Sequence, residues 1–352
     1  MIDNGKISII VPMYNCAEYA PKCIENILSQ SYKNWELWLV HGDSNDGTEE
    51  VCQKYENQDE RIHNIFHIDG LVPARNVGYE HATGDWIMYI DGDDWIDGDC
   101  LVEIMEAAKR YDNPDVIFWK FLQDLDGKPV YGKMEWSCKD NEHLYKGKEC
   151  HELARHTMIY SSGITTAYAK LVRTDWAKKN NIYHDKRLRQ GEEGVEYSLR
   201  VFYYADTALF LNKYYNYYRY TPNSLSKSIN EKNTQYMTDS FKVMEEDING
   251  FENRNEIKRM YYQRVVYGVI AMAMSTYFHP NNSDDLSTKV TKFKNVISSA
   301  SLYEESIKKC PTIYMDKLRI IILFILKVRA YWLLSPIAQI KQFMLKRGYF
   351  NY

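Results

Sequence analysis

Through the first hundred positions, short apolar runs alternate with stretches whose apolar residues recur at helical spacing. "ISIIVPMY", "WELWLVHG", "IHNIFHI" and "WIMYID" each read as a strand, because the runs are brief, rich in Ile, Val and Trp, and end in polar turns. "AEYAPKCIENILSQ", "TEEVCQKYENQ" and "PARNVGYEHA" read as the helices between them. The second is entered through "DSNDGT", where Asp46 or Thr48 is expected to cap. The third stops at "TGD", with Gly84 expected at the C′ position. Strand–helix alternation of this kind predicts βαβ units and a mostly parallel sheet flanked by helices.

Beyond Asp99 the pattern predicts a helix, "CLVEIMEAAKRY", and a strand, "PDVIFWKF". Residues 123–150 are polar with interspersed Gly and aromatics, as in a hairpin and loops. "TTAYAKLVRTDWAKKNN" mixes strand and helix signals. "GEEGVEYSLRVFYYA" predicts a helix with carboxylates in its first turn, and "TALFLNKYYNYYRY" predicts two short strands around a turn. From about 230 the spacing is helical, with segments at 230–252, 256–279 and 283–300 each expected to be amphipathic.

The chain has 352 residues, 45% hydrophobic and 26% charged, so it is globular and large enough for two bodies. The formal net charge of −4 argues against nonspecific nucleic-acid binding. The seven cysteines form no CxxC pair, so neither a disulfide framework nor a zinc site is expected, and a reducing compartment fits. No basic segment followed by a long apolar run opens the chain, so no signal peptide is expected. Charge changes the picture most at the end. Residues 313–352 carry Lys317, Arg319, Lys327, Arg329, Lys341, Lys346 and Arg347 against Asp316, a net +6, which leaves −10 on the remainder. The uncharged run Ile320–Leu326 is too short to span a bilayer. A basic, aromatic, amphipathic tail of this kind reads as an interfacial membrane contact, or else as a packed helix with solvated charges.

In an open parallel sheet, ligands bind beyond the carboxyl ends of the strands. The turns there are "PMYN", "HGDSNDGT", "IDGLVPARN" and "DGDDW". In the last, Gly92 lets the chain turn sharply between Asp91 and Asp93. Two carboxylates aimed at one point repel unless a cation lies between them, and Mg²⁺ or Mn²⁺ with diphosphate oxygens suits such a pair. A solvated acidic turn is the plainer reading, to which Asp94 is assigned as a capping or loop residue. No Walker A loop and no GxGxxG follows the first strand, so phosphate charge must be met by metal and basic groups such as Arg75.

"ISIIVPMYNCAEYAPKCIENILSQSYKNWELWLV", "GLVPARNVGYEHATGDWIMYIDGDDW" and "GEEGVEYSLRVFYYAD" together resemble the family 2 glycosyltransferases of the GT-A fold, in the style of bacterial enzymes of exopolysaccharide, capsule or lipid-linked glycan synthesis. The likeness runs through residues 5–225. It implies that Pro12, Tyr14 and Asn15 pack on the donor nucleotide and that Arg75 lies near its phosphates. It further implies that Asp91 and Gly92 adjoin the ribose and metal, that Asp93 ligates the metal, and that Trp95 lines the acceptor site. Glu192 and Glu193 match the family's acidic pair, whose second member is the catalytic base, and "YYNYYRYTPNSLS" resembles its closing segment. Two positions depart from the pattern. His41 stands where a base-reading carboxylate is usual, with Asp43 two residues on, and Glu193 stands where Asp is usual.

The resemblance implies an inverting, metal-dependent transfer of a hexosyl or N-acetylhexosaminyl group from a UDP-linked donor to a glycan or polyprenyl-diphosphate-linked acceptor, with Mn²⁺ or Mg²⁺ as cofactor. The expected organisation is a GT-A domain at 1–225, with a nucleotide-sugar half at 1–100 and an acceptor half at 101–225. A helical region at 226–312, able to support a homodimer, and a tail at 313–352 follow. The expected place is the cytoplasmic face of the cell membrane. Two other readings remain: a noncatalytic sugar-nucleotide or glycan-binding module, and a nucleotidyltransferase, whose Gly-rich basic loop "PMYNCAEY" lacks.

Overall fold

The computed structural model describes residues 5–125, 127–131, 138, 140–160, 162–219 and 231–346, with the backbone alone described at 345 and 346. By contacts the chain divides into two compact units, Met1–Thr157 with Ser161–Tyr220, and Met158–Tyr160 with Thr221–Tyr352.

The first unit opens β1 (Ile7–Met13), α1 (Ala20–Ser29), β2 (Trp35–His41), α2 (Thr48–Glu56), β3 (Ile62–Phe66), α3 (Leu71–His81) and β4 (Trp86–Tyr89). It continues with β5 (Trp95–Ile96), α4 (Cys100–Arg110), β6 (Val116–Leu125), β7 (Lys128–Val130), β8 (Glu142–Lys146), α5 (Lys148–Thr157), β9 (Lys170–Arg173), α6 (Thr174–Lys179), α7 (Glu193–Tyr204) and β10 (Thr207–Arg219). The strands form one sheet in the order β3-β2-β1-β4-β9-β6-β10-β5, with β7 on β6 and β8 on β10. β1, β2, β3 and β4 run parallel, Ile9 lying opposite both Leu37 and Met88. β9 is antiparallel to β4 and β6, and β10 is parallel to β6 but antiparallel to β5 and β8.

Both faces of β1 are covered, which is why its sequence is an unbroken apolar run. Ile7, Ile9 and Val11 share one core with Ile24 and Ile27 of α1, Cys52 of α2 and Ile104 of α4. On the other face α3 packs so closely that a Cβ at Gly78 would lie 2.4 Å from Ile10 Cγ2.

Three local expectations change. In "TALFLNKYYNYYRY", Thr207–Arg219 form one strand, because register shifts between Leu211 and Asn216 absorb the polar Asn212–Lys213 step without breaking pairing. α3 ends at His81 with Ala82 as its C-cap, not with Gly84 at C′; Gly84 instead abuts β1, where a Cβ would meet Lys6 O at 2.6 Å. The N-cap position of α2 is Gly47, while Asp46 accepts the Thr48 amide at 3.2 Å.

The second unit is helical: α8 (Glu231–Gly250), α9 (Arg254–Met272), a π turn (Ala273–Tyr277), α10 (Leu286–Ser299), α11 (Ser301–Lys309), α12 (Lys317–Lys327), a 3₁₀ turn (Tyr331–Leu333) and α13 (Leu334–Lys346). α9 is not one-faced as expected; its residues from Met260 to Ile270 are all buried, so it is the unit's central helix. Tyr261 donates to Phe241 O at 2.8 Å, and a Cβ at Gly268 would lie 2.6 Å from Phe241. No helix among the described residues is long and apolar enough to cross a membrane.

Candidate active site

The turns after β1 and β2 are tied together. Asn15, in the left-handed region at φ 46°, receives the Asn45 amide on its side chain at 3.4 Å and donates its own amide to Ser44 Oγ at 3.0 Å. The Ala17 amide donates to Asp46, and the Gly42 amide to Met13 O. Tyr14 is half exposed, its ring against Gly42. Asp43 is exposed. His41 is buried at the end of β2, its ring 5.3 Å from that of Phe66, and its Nδ1 has no hydrogen-bond partner among the described residues.

The Asp-Gly-Asp turn after β4 presses against this first turn. A Cβ at Gly92 would lie 2.6 Å from Met13 Sδ and 3.1 Å from Pro12 O, so only glycine brings the two turns this close. The turn is closed by the Asp94 amide donating to Asp91 O at 2.9 Å. Burial, and then the Asp91 charge, push the Asp93 carboxyl up to about 6.

Arg75 is held by α3, and its guanidinium is buried. It donates to Asp91 Oδ1 at 2.7 Å and to Glu193 Oε1 at 3.2 Å. It is therefore engaged between two carboxylates, rather than open to phosphate as the sequence suggests. The next residue fixes the helix: Asn76 donates to His184 O at 2.8 Å and accepts the His184 amide at 3.1 Å. His184 is buried, stacked on Tyr197 at 4.4 Å, and its pKa is depressed by burial and by the neighbouring Arg75 and Arg200 charges.

Glu193 begins α7, and Glu192 is its N-cap residue. Burial raises the Glu193 pKa against the opposing Arg75 charge. One carboxylate oxygen meets Arg75, and Oε2 has no hydrogen-bond partner among the described residues. Glu192 is half-buried. A buried, ionisable oxygen left unsatisfied beside a fixed cation suits a proton acceptor.

Pattern reading missed one residue that bears on this turn. Arg219, the last residue of β10, gives its amide to Asp94 Oδ1 at 2.9 Å and its Nε to Asp93 O at 3.0 Å. Asp94 is thus a buried anchor between turn and strand, and not a helix cap. The one signal was a single cation inside the tyrosine-rich "YYNYYRY". Trp95 stacks on Tyr217 at 5.2 Å, with Lys22 Nζ 3.1 Å from its ring centroid. Of the expected closing segment "YYNYYRYTPNSLS", residues 214–219 end β10 and residues 220–226 lie outside the described residues.

The donor set suits a hard divalent cation: two carboxylates on one tight turn, one of them raised by burial and then by its neighbour's charge, both of which a cation would offset. Asp91 shares one oxygen with Arg75, so Asp93 is the freer ligand. The turn gathers no third protein ligand among the described residues. The one such trio found there, Cys138, Asp140 and His143, lies elsewhere, although the cysteine pattern gave no reason to expect it.

A mixed, mostly parallel sheet between helices, with an acidic turn beyond the fourth strand and a buried carboxylate on the helix facing it, is the GT-A architecture. Solved structures share it. TarS 1–349 of S. aureus in complex with UDP-GlcNAc is similar over 97% of this chain and 92% of its own, with a TM-score of 0.64 at 17% identity. The mannosyltransferase PcManGT of Pyrobaculum calidifontis, in complex with GDP-Man and Mn²⁺, is similar over 95% of this chain and 86% of its own, with a TM-score of 0.51 at 12% identity. Glycosyltransferase GlyA of Streptococcus pneumoniae is 28% identical over 66% of this chain and 33% of its own length. The chain spans from a third to under two thirds of the length of the curated relatives it matches first. Residues 8–179 match the model of glycosyl transferase family 2.

Proposed function

We propose that the protein transfers a hexosyl or N-acetylhexosaminyl group, with inversion, from a UDP-linked donor to a hydroxyl of a glycan or polyprenyl-diphosphate-linked acceptor in bacterial surface-glycan synthesis. The observation that carries this reading is the buried linkage Asp91–Arg75–Glu193, which ties the acidic turn to a carboxylate with one unsatisfied oxygen.

Glu193 Oε2 takes the acceptor hydroxyl proton as the hydroxyl oxygen bonds to the anomeric carbon. The bond from that carbon to the diphosphate oxygen breaks on the opposite face, and its electron pair leaves with the nucleoside diphosphate. Arg75 keeps Glu193 oriented and ionisable in a buried place. Asp93, with Asp91 beside it, would hold Mn²⁺ or Mg²⁺, which supplies positive charge to the departing diphosphate. Pro12, Tyr14 and Asn15 form the floor for the nucleotide, with His41 and Asp43 beside it, and the stacked Trp95–Tyr217 pair offers a sugar platform for the acceptor. The UDP preference is supported by the fold shared with TarS.

Release of nucleoside diphosphate from a panel of nucleotide sugars, with and without acceptor glycan, tests this reading. Turnover that Glu193→Gln stops while donor binding persists is expected. Binding of nucleotide sugars without any turnover would favour a noncatalytic module.

A further inference from the structure

The helical unit carries an apolar face that its described residues leave uncovered. Of seventeen large apolar side chains exposed among the described residues, ten lie between Ile313 and Phe343. Single exposed apolar residues are ordinary, but these fall in stripes. On α12, Ile321 and Phe324, with Val328 at its C-cap, recur at helical spacing opposite the buried Ile322, Leu323 and Leu326. On α13, Ile340 and Phe343 lie opposite the buried Leu334 and Ala338. Trp332, 58% exposed, sits on the link between the helices, and Phe324 is 65% exposed. Each helix therefore has two apolar sides. One side packs into the unit and the other meets solvent.

Basic groups border this face. Lys317 on α12, and Lys327 and Arg329 at its end, are exposed. A cavity of about 440 Å³ beside the end of α12 is lined by Lys308, Lys327 and Arg329 with Glu304 and Tyr331. Arg329 reaches Glu304 at 3.0 Å. Favourable helix-end electrostatics account for Lys308 and Lys327, but not for the apolar stripes. A second copy docked face to face would oppose like charges. An acidic soluble partner would leave the apolar stripes unexplained. An anionic bilayer matches both features, since aromatic and aliphatic side chains settle at the headgroup boundary while Lys and Arg meet lipid phosphates.

We propose that the outward stripes of α12 and α13, with Trp332 between them, dock this protein flat on an anionic lipid bilayer. The proposal stands independently of the glycosyl-transfer reading.

Cosedimentation of the full chain with phosphatidylcholine vesicles, with and without phosphatidylglycerol, tests it. The wild type is expected to sediment with phosphatidylglycerol vesicles and to be released by high salt. The pair Ile321→Ser and Phe324→Ser should lower partitioning at least tenfold. Lys308→Gln and Lys327→Gln should each lower it about fivefold, and only on anionic vesicles. Thermal unfolding checks that the variants fold, which is expected because every changed side chain is exposed. Wild type remaining in the supernatant would overturn the proposal, as would serine variants that sediment like wild type. A wild-type dimer that the serine variants split into monomers would assign the face to a subunit interface instead. Donor turnover, measured separately, can fail without touching this result.

Discussion

Arg75 donates to Glu193 Oε1 at 3.2 Å across 118 positions of chain, and the same guanidinium holds Asp91 at 2.7 Å. Helices α3 and α7 and the acidic turn after β4 are therefore joined through one buried cation. The account of catalysis depends on that joint.

Removing it leaves two carboxylates without their shared partner, one of them buried. Arg75→Ala is expected to destabilise the first unit by about 3–5 kcal/mol. Arg75→Lys, which lacks the forked geometry, should recover only part of this. Urea denaturation measures both; an Arg75→Ala chain as stable as wild type would show that the pairs do not form.

The proposed base, Glu193, can take a proton only when ionised, and burial holds its carboxyl above the usual carboxylate range. As pH falls, kcat/KM should decline through that raised value, earlier than an exposed glutamate would require. Glu193→Gln is expected to lower kcat by about 10²–10⁴ with donor affinity nearly unchanged. Glu192→Gln should change kcat far less. Near-normal turnover by Glu193→Gln would transfer the role of base elsewhere.

Asp93 carries a second pH signature. Its folded pKa of about 6 exceeds the ordinary 3.8, so between those values the folded chain binds more protons than the unfolded one. Stability without metal should therefore fall as pH rises through this window. In EDTA, Asp93→Asn is expected to raise stability by about 1–2 kcal/mol above the window and little below it. The same variant should lose Mn²⁺-dependent transfer. A metal-free Asp93→Asn chain no more stable than wild type would remove the case for two crowded carboxylates.

Arg219 braces the acidic turn from the far end of β10. Arg219→Ala keeps the backbone bond to Asp94 but loses the side-chain bond to Asp93 O and the charge near Trp95. The expected outcome is a folded protein whose KM for the donor rises about tenfold, the worth of one charge-assisted hydrogen bond. Steady-state kinetics with varied donor would detect it, and an unchanged KM would confine Arg219 to a structural role.

The parallel half of the sheet was legible because buried strands leave unbroken apolar runs, and the Asp91–Asp93 turn stood out against them. Long-range partners were not legible. Nothing local marks Arg75 as the cation that Glu193 needs, nor Arg219 as the brace of Asp93 and Asp94, because such pairs depend on strand order. β10 was misread because its bulge interrupts the alternation that signals a strand. The tail showed its charge and amphipathic character in sequence, but which of its apolar residues face outward required the packing of α12 and α13.

The central claim is metal-dependent transfer with Glu193 as base, and one measurement bears on it most directly. Nucleoside diphosphate release is followed for wild type and Glu193→Gln across a panel of nucleotide sugars, in Mn²⁺ and in EDTA. The account predicts release from a UDP-linked sugar by wild type in Mn²⁺, and none in EDTA. It predicts donor binding without release by Glu193→Gln. Equal release by wild type and Glu193→Gln, or release unaffected by EDTA, would contradict it.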